Sequence, residues 1–210
     1  MLRYEIRIPD DVQDGARLFV LLHGRGADRY DLLPLAAHLP AGSMVVTPQG
    51  PHPGSAWGYG DGWAWYRHIA ENRVGSEGLH ASLDALEHFL GALHPTLPVV
   101  PGPLVLGGFS QGGTTTTAYA LTRPGTVASV VNLSGFLVDD PEVPVTSAAL
   151  SGTRIFWGHG TMDMAVHHSL AISGRARLRS LDADLTERDY PMGHQISAEE
   201  LADITAWLEG

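Results

Sequence analysis

The chain has 210 residues, with 13 basic side chains, all of them arginine, and 23 acidic ones, so its formal charge is −10. It contains no cysteine, which excludes disulfide scaffolds, thiolate zinc sites and a cysteine nucleophile. The acidic balance argues against nucleic acid as a partner and against attraction to anionic membranes. No apolar run approaches the roughly 20 residues that span a bilayer. We therefore expect one soluble, cytoplasmic domain over residues 1–210, with no stable membrane insertion.

Short apolar runs alternate with longer helical patterns along the chain. The runs predict six strands, at residues 18–22, 44–47, 104–109, 128–133, 154–157 and 185–190. Several of them are almost continuously apolar, which is typical of strands that are covered on both faces. Residues 4–8 alternate instead between polar and apolar side chains, and this pattern predicts an edge strand with one wet face.

Four segments between these strands have helical spacing. In residues 76–93, leucines recur every three or four positions and form one apolar stripe, and Pro95 ends the pattern. Three further helices are predicted at residues 111–121, 166–181 and 197–208, and the last begins with a capping box from Ser197 to Glu200. The alternation predicts an α/β fold, with a mainly parallel central sheet and helices on both faces.

A Gly-x-Ser-x-Gly motif stands between a predicted strand and a predicted helix, with Ser110 at its centre and Gly108 and Gly112 on either side. A sharp strand-to-helix turn would push the serine hydroxyl out above the sheet, and side chains at the two glycines would collide across that turn. The alternative is an ordinary glycine-rich turn. We interpret Ser110 as a nucleophile.

A serine hydroxyl needs a base to remove its proton, and on this fold the partners follow in the order serine, acid, histidine. Asp163 comes soon after the strand at 154–157, and His194 follows the strand at 185–190. The carboxyl ends of parallel strands share one edge of the sheet. His194 would therefore take the proton from Ser110, and Asp163 would orient the imidazole and stabilise its charged form.

Other residues compete for the acid and base roles. Asp139 and Asp140 follow the strand that ends near residue 133 and could supply the acid. His159, His167 and His168 are alternative bases, although the last two fall inside a predicted helix. The positions of Asp163 and His194 just past strand ends favour those two residues.

The reaction also needs N–H donors for a developing oxyanion. The backbone N–H of Gln111, next to the serine, is one candidate, and the glycine-flanked Arg25 after the strand at 18–22 supplies the second. The Arg25 side chain could contact an anionic group of the substrate. It could also be solvated or paired with Asp28, and we favour that interpretation.

Five aromatic residues lie within residues 57–66, interleaved with glycines. They could form a wall for an acyl or aromatic group of the substrate, or anchor the loop by burying their own rings. These two interpretations carry equal weight. We assign the substrate pocket to Trp57, Trp63, Trp65, Phe136, Met162 and Met164.

Taken together, five motifs resemble those of the phospholipase/carboxylesterase family, the small-esterase branch of the α/β-hydrolases that includes acyl-protein thioesterases. They are His-Gly-Arg-Gly-Ala-Asp at 23–28, Gly-Phe-Ser-Gln-Gly-Gly at 108–113, Leu-Ser-Gly-Phe-Leu at 133–137, His-Gly-Thr-Met-Asp at 159–163 and Gly-His at 193–194. The resemblance implies a triad of Ser110, Asp163 and His194, an oxyanion hole at Arg25 and Gln111, and no cofactor. It also implies hydrolysis of carboxylic esters, lysophospholipids or acyl thioesters.

Three segments depart from the family pattern. Residues 163–167 read Asp-Met-Ala-Val-His where Asp-Pro-Val-Val-Pro is frequent, Arg67 and His68 follow the aromatic segment in place of an aromatic residue and an aspartate, and Arg25 replaces a frequently apolar residue. All three lie near the expected pocket, so they affect the substrate more than the chemistry.

The sequence thus predicts a serine carboxylesterase for short to medium acyl or aryl esters, acting through an acyl-enzyme on a small-molecule ester. The alternatives are a lysophospholipase or acyl thioesterase with a long acyl tunnel, and a non-catalytic binding protein on the same fold. His159, Asp163 and His167 lack any recognisable ligand spacing, so we predict no metal. An apolar rim could support a homodimer.

Overall fold

The computed structural model describes all residues, 1–210. Its strands are β1 (Tyr4–Arg7), β2 (Leu18–Leu22), β3 (Met44–Pro48), β4 (His52–Pro53), β5 (Trp63–Ala64), β6 (His68–Ala70), β7 (Arg73–Val74), β8 (Leu104–Phe109), β9 (Ser129–Leu133), β10 (Arg154–Gly160) and β11 (Asp184–Tyr190). Its α-helices are α1 (Ser76–Leu93), α2 (Gln111–Thr122), α3 (Ser147–Leu150), α4 (His168–Arg179) and α5 (Ala198–Glu209). Three short 3₁₀ helices complete the fold, at Leu33–His38, Gly54–Trp57 and His94–Thr96.

Seven strands form the central sheet, in the order β1-β3-β2-β8-β9-β10-β11. All neighbouring pairs are parallel except β1 with β3, which is antiparallel. The predicted mainly parallel α/β sheet is therefore confirmed, and the alternating segment near the N-terminus is its edge strand. The other four strands pair as two small antiparallel hairpins, β4 with β5 and β6 with β7.

The predicted helices and sheet strands all form, and their bounds differ by only a few residues. The main difference is β10, which continues to Gly160 instead of ending at residue 157, because residues 158–160 pair with Arg188, Asp189 and Tyr190 of β11. Glycine is a poor strand former, so the Gly-His-Gly segment gave no local strand signal. The small hairpins in residues 52–74 were not predicted.

Two apolar clusters cover the two faces of the sheet. The larger includes the buried stripe of α1 together with residues of α2 and α4, and the smaller lies between the sheet, α5 and the 3₁₀ helix at Leu33–His38. The leucine stripe on α1 is buried with one exception: Leu90 is only partly buried, and its neighbour Phe89 is fully buried instead. None of the helices combines the length and the apolar character that a membrane span requires.

The four consecutive threonines of α2, Thr114 to Thr117, are all buried. Their hydroxyls satisfy polar groups around the helix. That of Thr114 accepts from the N–H of Phe136 at 3.0 Å, and that of Thr117 accepts from the Asn132 amide at 2.9 Å. Since threonine is a mediocre helix former, these contacts with β9 and with the segment after it hold α2 in place behind the serine motif.

Candidate active site

Ser110 occupies the turn between β8 and α2 with φ 56° and ψ −113°, a conformation that costs a non-glycine residue about 1–3 kcal/mol. The two glycines of the motif make the turn sterically feasible. A Cβ added to Gly108 would lie 2.4 Å from the carbonyl carbon of Gly112, and one added to Gly112 would lie 2.0 Å from the carbonyl oxygen of Leu22. The Ser110 N–H donates to the carbonyl of Leu133 at 2.7 Å, which secures the strained residue against β9.

The structure brings Ser110, Asp163 and His194 together in one hydrogen-bonded chain. Nε2 of His194 lies 2.9 Å from Oγ of Ser110, and Nδ1 lies 2.7 Å from Oδ2 of Asp163. An ionised carboxylate can only accept a hydrogen bond, so Nδ1 carries the imidazole proton and Nε2 can accept the serine O–H. This is the protonation pattern that a serine nucleophile requires.

Asp163 is 3% exposed and remains ionised because of its hydrogen bonds. Burial alone would raise its pKa, but the His194 hydrogen bond and the N–H groups of Ala165 and Val166 together hold that pKa below its ordinary value. Both N–H groups donate to Oδ1 at 2.9 Å. The turn after β10 thus supplies the negative charge that orients His194.

None of the rival acid and base candidates hydrogen-bonds to Ser110 or His194. The carboxylate of Asp140 lies 3.7 Å from His80, and the imidazole of His168 pairs with Asp189 at 2.9 Å. His167 is exposed and immediately precedes α4, which begins at His168 and not at residue 166 as predicted. His159 is buried inside β10. No group of three or more His, Asp or Glu side chains has an arrangement that could hold a metal ion.

The oxyanion donors proposed from the sequence flank the serine. The loop that contains Arg25 lies directly against it, since a Cβ added to Gly24 would lie 3.7 Å from Cβ of Ser110. The backbone N–H of Arg25 has no acceptor within the protein. Gln111 is the first residue of α2, and the first N–H groups of a helix lack an intrahelical acceptor. Both N–H groups can therefore serve a substrate oxygen.

His23 fixes this loop, a role that sequence reasoning did not assign. The imidazole is 1% exposed, and its Nε2 accepts the N–H of Gly50 at 2.9 Å. The proton must then lie on Nδ1, which donates to the carbonyl of Gly24 at 2.7 Å. Burial lowers the pKa of His23 to about 4, so the ring stays neutral. Its place at the start of the His-Gly-Arg-Gly segment was the available signal.

The side chain of Gln111 ties the aromatic segment to the nucleophile turn. Its Oε1 accepts the N–H of Trp65 at 2.8 Å, and its Nε2 donates to the carbonyl of Tyr66 at 2.7 Å. The indole N–H of Trp65 donates in turn to the carbonyl of His23 at 3.0 Å. Trp65 is fully buried, so the predicted pocket role for Trp65 is wrong: its ring supports the oxyanion loop from behind.

A cavity of about 400 Å³ opens in front of Ser110 and His194. Among the predicted pocket residues only Phe136 lines it. Its other aromatic and apolar walls are Ala27, Tyr66, Phe109, Ala165, Val166 and Leu170. Its ionisable lining residues are Arg25, Asp31, His68, Glu71 and His167.

The remaining predicted pocket residues lie outside this cavity. Trp57 packs on the His52 ring, with centroids 4.8 Å apart, and Trp63 belongs to the short strand β5 and lines a separate groove. Met162 and Met164 flank the buried Asp163 but are 59% and 80% exposed. Because the turn directs the aspartate inward, its two neighbours face solvent and do not line the cavity, and their contact with substrate stays a prediction.

Arg25 is exposed to solvent, as one part of the favoured interpretation predicts, but it does not pair with Asp28. Its guanidinium carbon lies 4.9 Å from the ring centroid of Tyr59. The Asp28 carboxylate instead accepts the N–H of Tyr30 at 2.9 Å. The arginine side chain therefore lies on an aromatic ring beside the cavity.

A parallel sheet that carries a strained serine, an aspartate and a histidine to one edge is the arrangement of the α/β-hydrolases, and the hydrogen bonds between the three residues are those of a serine-hydrolase triad. The family model described as Phospholipase/Carboxylesterase matches residues 5–210. The chain belongs to this family.

Individual relatives agree with this assignment. A probable carboxylesterase of Oryza sativa subsp. japonica is 32% identical over 113 residues, which are 53% of this chain and 42% of the relative. Acyl-protein thioesterase 1 of Kluyveromyces lactis is 25% identical over 223 residues, covering 97% of this chain and 95% of the relative. The crystal structure of esterase PE8 superimposes with a TM-score of 0.83 at 25% identity, covering 99% of this chain and 98% of that one. The chain covers 42% of the length of the rice carboxylesterase and 49% of the length of a carboxylesterase of Arabidopsis thaliana, which is less than half of each relative.

Proposed function

We propose that this protein is a serine carboxylesterase that hydrolyses short to medium acyl or aryl esters through an acyl-enzyme. The observation that carries the proposal is the unbroken hydrogen-bonded path from Ser110 through His194 to Asp163. The unpaired N–H of Arg25 and the first N–H of α2 lie beside Ser110, where this path begins.

The geometry supports a two-stage reaction. Ser110 Oγ attacks the ester carbonyl while His194 Nε2 takes its proton, and the N–H groups of Arg25 and Gln111 stabilise the oxyanion. Collapse of the tetrahedral intermediate expels the alcohol, which receives the proton from His194 and leaves an acyl group on Ser110. Water then repeats the sequence and releases the carboxylic acid. Removal of one oxyanion donor typically lowers turnover by about 100–1,000-fold.

The size of the cavity supports the short to medium acyl range. Its volume of about 400 Å³ lies near the lower end of the roughly 300–1,000 Å³ of small-molecule sites. Phe136, Tyr66 and Leu170 form part of its apolar wall. The second candidate is an acyl thioesterase or lysophospholipase, which is favoured by the relative of nearly full coverage that bears the name acyl-protein thioesterase.

The test is hydrolysis of p-nitrophenyl esters with acyl chains from two to twelve carbons by the wild type and by Ser110→Ala. Ser151→Ala, which changes an exposed serine, is the matched control. We expect loss of turnover only in Ser110→Ala and a preference for short chains. Wild-type turnover in Ser110→Ala would overturn the proposal, and a steep optimum at eight or more carbons would favour the second candidate.

A fluorophosphonate probe separates the enzyme from a non-catalytic binding protein, since only an activated serine reacts with it. We expect labelling of Ser110 that His194→Ala abolishes.

We also propose a small-molecule ester as the partner of this site and a cytoplasmic location. Sedimentation velocity tests the predicted homodimer, and fractionation of cells that express the tagged chain tests the location.

A further inference from the structure

We propose that the Ser110 cavity takes esters that carry a carboxylate in addition to the ester group, and that the Arg25 guanidinium binds this carboxylate. The inference rests on the proposed esterase function and deepens it by naming a substrate class. It assigns a specificity role to a side chain whose own backbone N–H is placed in the oxyanion hole.

The first observation is that the exposed Arg25 side chain contacts an aromatic ring and forms no ion pair. Its guanidinium lies on the Tyr59 ring, and the Tyr59 hydroxyl accepts the N–H of His68 at 2.7 Å. No carboxylate lies within 4.0 Å of the Arg25 guanidinium, which makes no side-chain hydrogen bond within the protein. A cation supported from one side by an aromatic ring keeps its N–H donors available for a ligand.

The second observation is the position of this side chain relative to the reacting atoms. Arg25 lines the same cavity as Ser110 and His194, and it follows Gly24, where an added Cβ would lie 3.7 Å from Cβ of Ser110. An ester whose carbonyl oxygen accepts the backbone N–H of Arg25 is therefore separated from the guanidinium by no more than the length of the arginine side chain. The planar guanidinium matches a carboxylate through two parallel N–H···O bonds.

His68 adds a second polar group on this side of the cavity. Its half-buried ring packs edge-on against Phe136, with centroids 6.1 Å apart, and it makes no side-chain hydrogen bond in the protein. Burial and the nearby Arg25 both lower the pKa of His68. The neutral ring can thus donate one N–H to the same anion without adding charge.

Two acidic residues also line the cavity and act against an anionic ligand. Asp31 and Glu71 are both exposed, and neither forms an ion pair with Arg25. Arg25 is exposed as well, so solvent and salt screen all three charges. The two acids therefore weaken anion binding, and the preference depends on direct N–H···O contact between the guanidinium and the carboxylate. Removal of the Glu71 charge is therefore expected to strengthen the preference for an anionic ester.

The test compares substrates that differ only in a carboxylate replaced by a methyl group. On the acyl side the pair is monoethyl glutarate and ethyl pentanoate, and on the alcohol side it is 4-acetoxybutanoate and butyl acetate. Acid release is followed in a pH-stat, and the readout is the ratio of kcat/KM for the anionic ester to that for its neutral partner. This ratio cancels effects of a substitution on the chemical step common to both esters.

In Arg25→Leu we expect the ratio to fall by about 10–100-fold for one pair, which identifies the side that carries the anion. Arg25→Lys should retain part of the preference, and Glu71→Gln should raise it. Arg67→Leu is the matched control, since it removes an exposed arginine that does not line the cavity, and its ratio should change less than about twofold.

Unchanged ratios for both pairs in Arg25→Leu would overturn the proposal while leaving the esterase function intact. A wild type that hydrolyses none of the four esters would count against the esterase function. In that case, calorimetric titration of Ser110→Ala with glutarate still tests whether Arg25 binds a carboxylate. We expect binding that is at least about tenfold weaker when Arg25→Leu is added, and equal binding by the two variants would contradict the site.

Discussion

The buried imidazole of His159 lies beside the carboxylate of Asp163, with its Nε2 3.4 Å from Oδ2, the oxygen that also contacts His194. The same Nε2 is 2.9 Å from the carbonyl of Val166, whose N–H donates to Oδ1 of Asp163. One side chain of β10 therefore holds the turn that presents the acid of the triad.

We predict that His159→Phe lowers kcat by about 10–100-fold with little change in KM, because the turn loses its N–H donor and the carboxylate is less accurately placed. His159→Gln, whose amide can donate to the Val166 carbonyl, should recover much of the rate. His88→Phe, on the exposed face of α1, controls for the substitution. Steady-state kinetics on one short ester measures all three. Equal losses in the Phe and Gln variants would contradict the role of the hydrogen bond.

The neutral His23 makes stability depend on pH. The pKa of this histidine is about 4 in the folded protein and near 6.5 in an unfolded chain. The unfolded state therefore binds the proton first, and stability decreases as the pH falls from about 6.5 to about 4, by roughly 3 kcal/mol in total. In His23→Gln this part of the acid sensitivity should disappear.

Urea denaturation between pH 4 and pH 8 checks this prediction through the difference in free energy of unfolding between the wild type and His23→Gln. That difference should shrink as the pH falls through the window. His38→Gln, an exposed histidine on the 3₁₀ helix at Leu33–His38, should show no such trend. A constant difference for His23→Gln would mean that His23 is not held neutral.

Features carried by local patterns could be predicted from the sequence. The strand and helix periods, and the order of Ser110, Asp163 and His194 at strand ends, depend on short segments and on the parallel topology. The lining of the cavity depends on distant contacts. Trp65 is buried because it bonds to Gln111 and His23, which are 46 and 42 positions away, and composition alone cannot distinguish a supporting ring from one that faces substrate.

The glycines of the chain are not equivalent, and two of them give opposite predictions. Gly112→Ala would place a methyl group 2.0 Å from the Leu22 carbonyl oxygen, so we expect loss of esterase activity and a lower Tm. Gly91→Ala, in the interior of α1 with no atom within 4 Å of the added methyl, should stabilise the protein by about 0.5–1 kcal/mol. Thermal unfolding with an ester assay tests the pair. Normal activity in Gly112→Ala would contradict the packing at the turn.

Glu200 is a fully buried residue whose two carboxyl oxygens have no hydrogen-bond partner. It lies at the start of α5, and its side chain packs against Gly158 so closely that a Cβ added to Gly158 would be 2.0 Å from Oε1 of Glu200. The backbone N–H of Glu200 donates to the Ser197 hydroxyl at 3.1 Å, which is one of the two hydrogen bonds of the predicted capping box. Burial raises the pKa of Glu200 to about 8. The folded protein therefore holds this side chain protonated at pH values where an unfolded chain has already ionised it.

Stability should thus decrease as the pH rises from about 4.5, where the unfolded carboxyl ionises, to about 8. Glu200→Gln introduces a neutral side chain of the same shape, so this decrease in stability should be absent in the variant. Relative to the wild type, the free energy of unfolding of the variant should gain about 4 kcal/mol between pH 5 and pH 9. Glu199→Gln, the exposed neighbour on the same helix turn, should differ from the wild type by a constant amount. Urea denaturation across this range measures both variants, and parallel curves for Glu200→Gln and the wild type would show that Glu200 ionises normally in the folded protein.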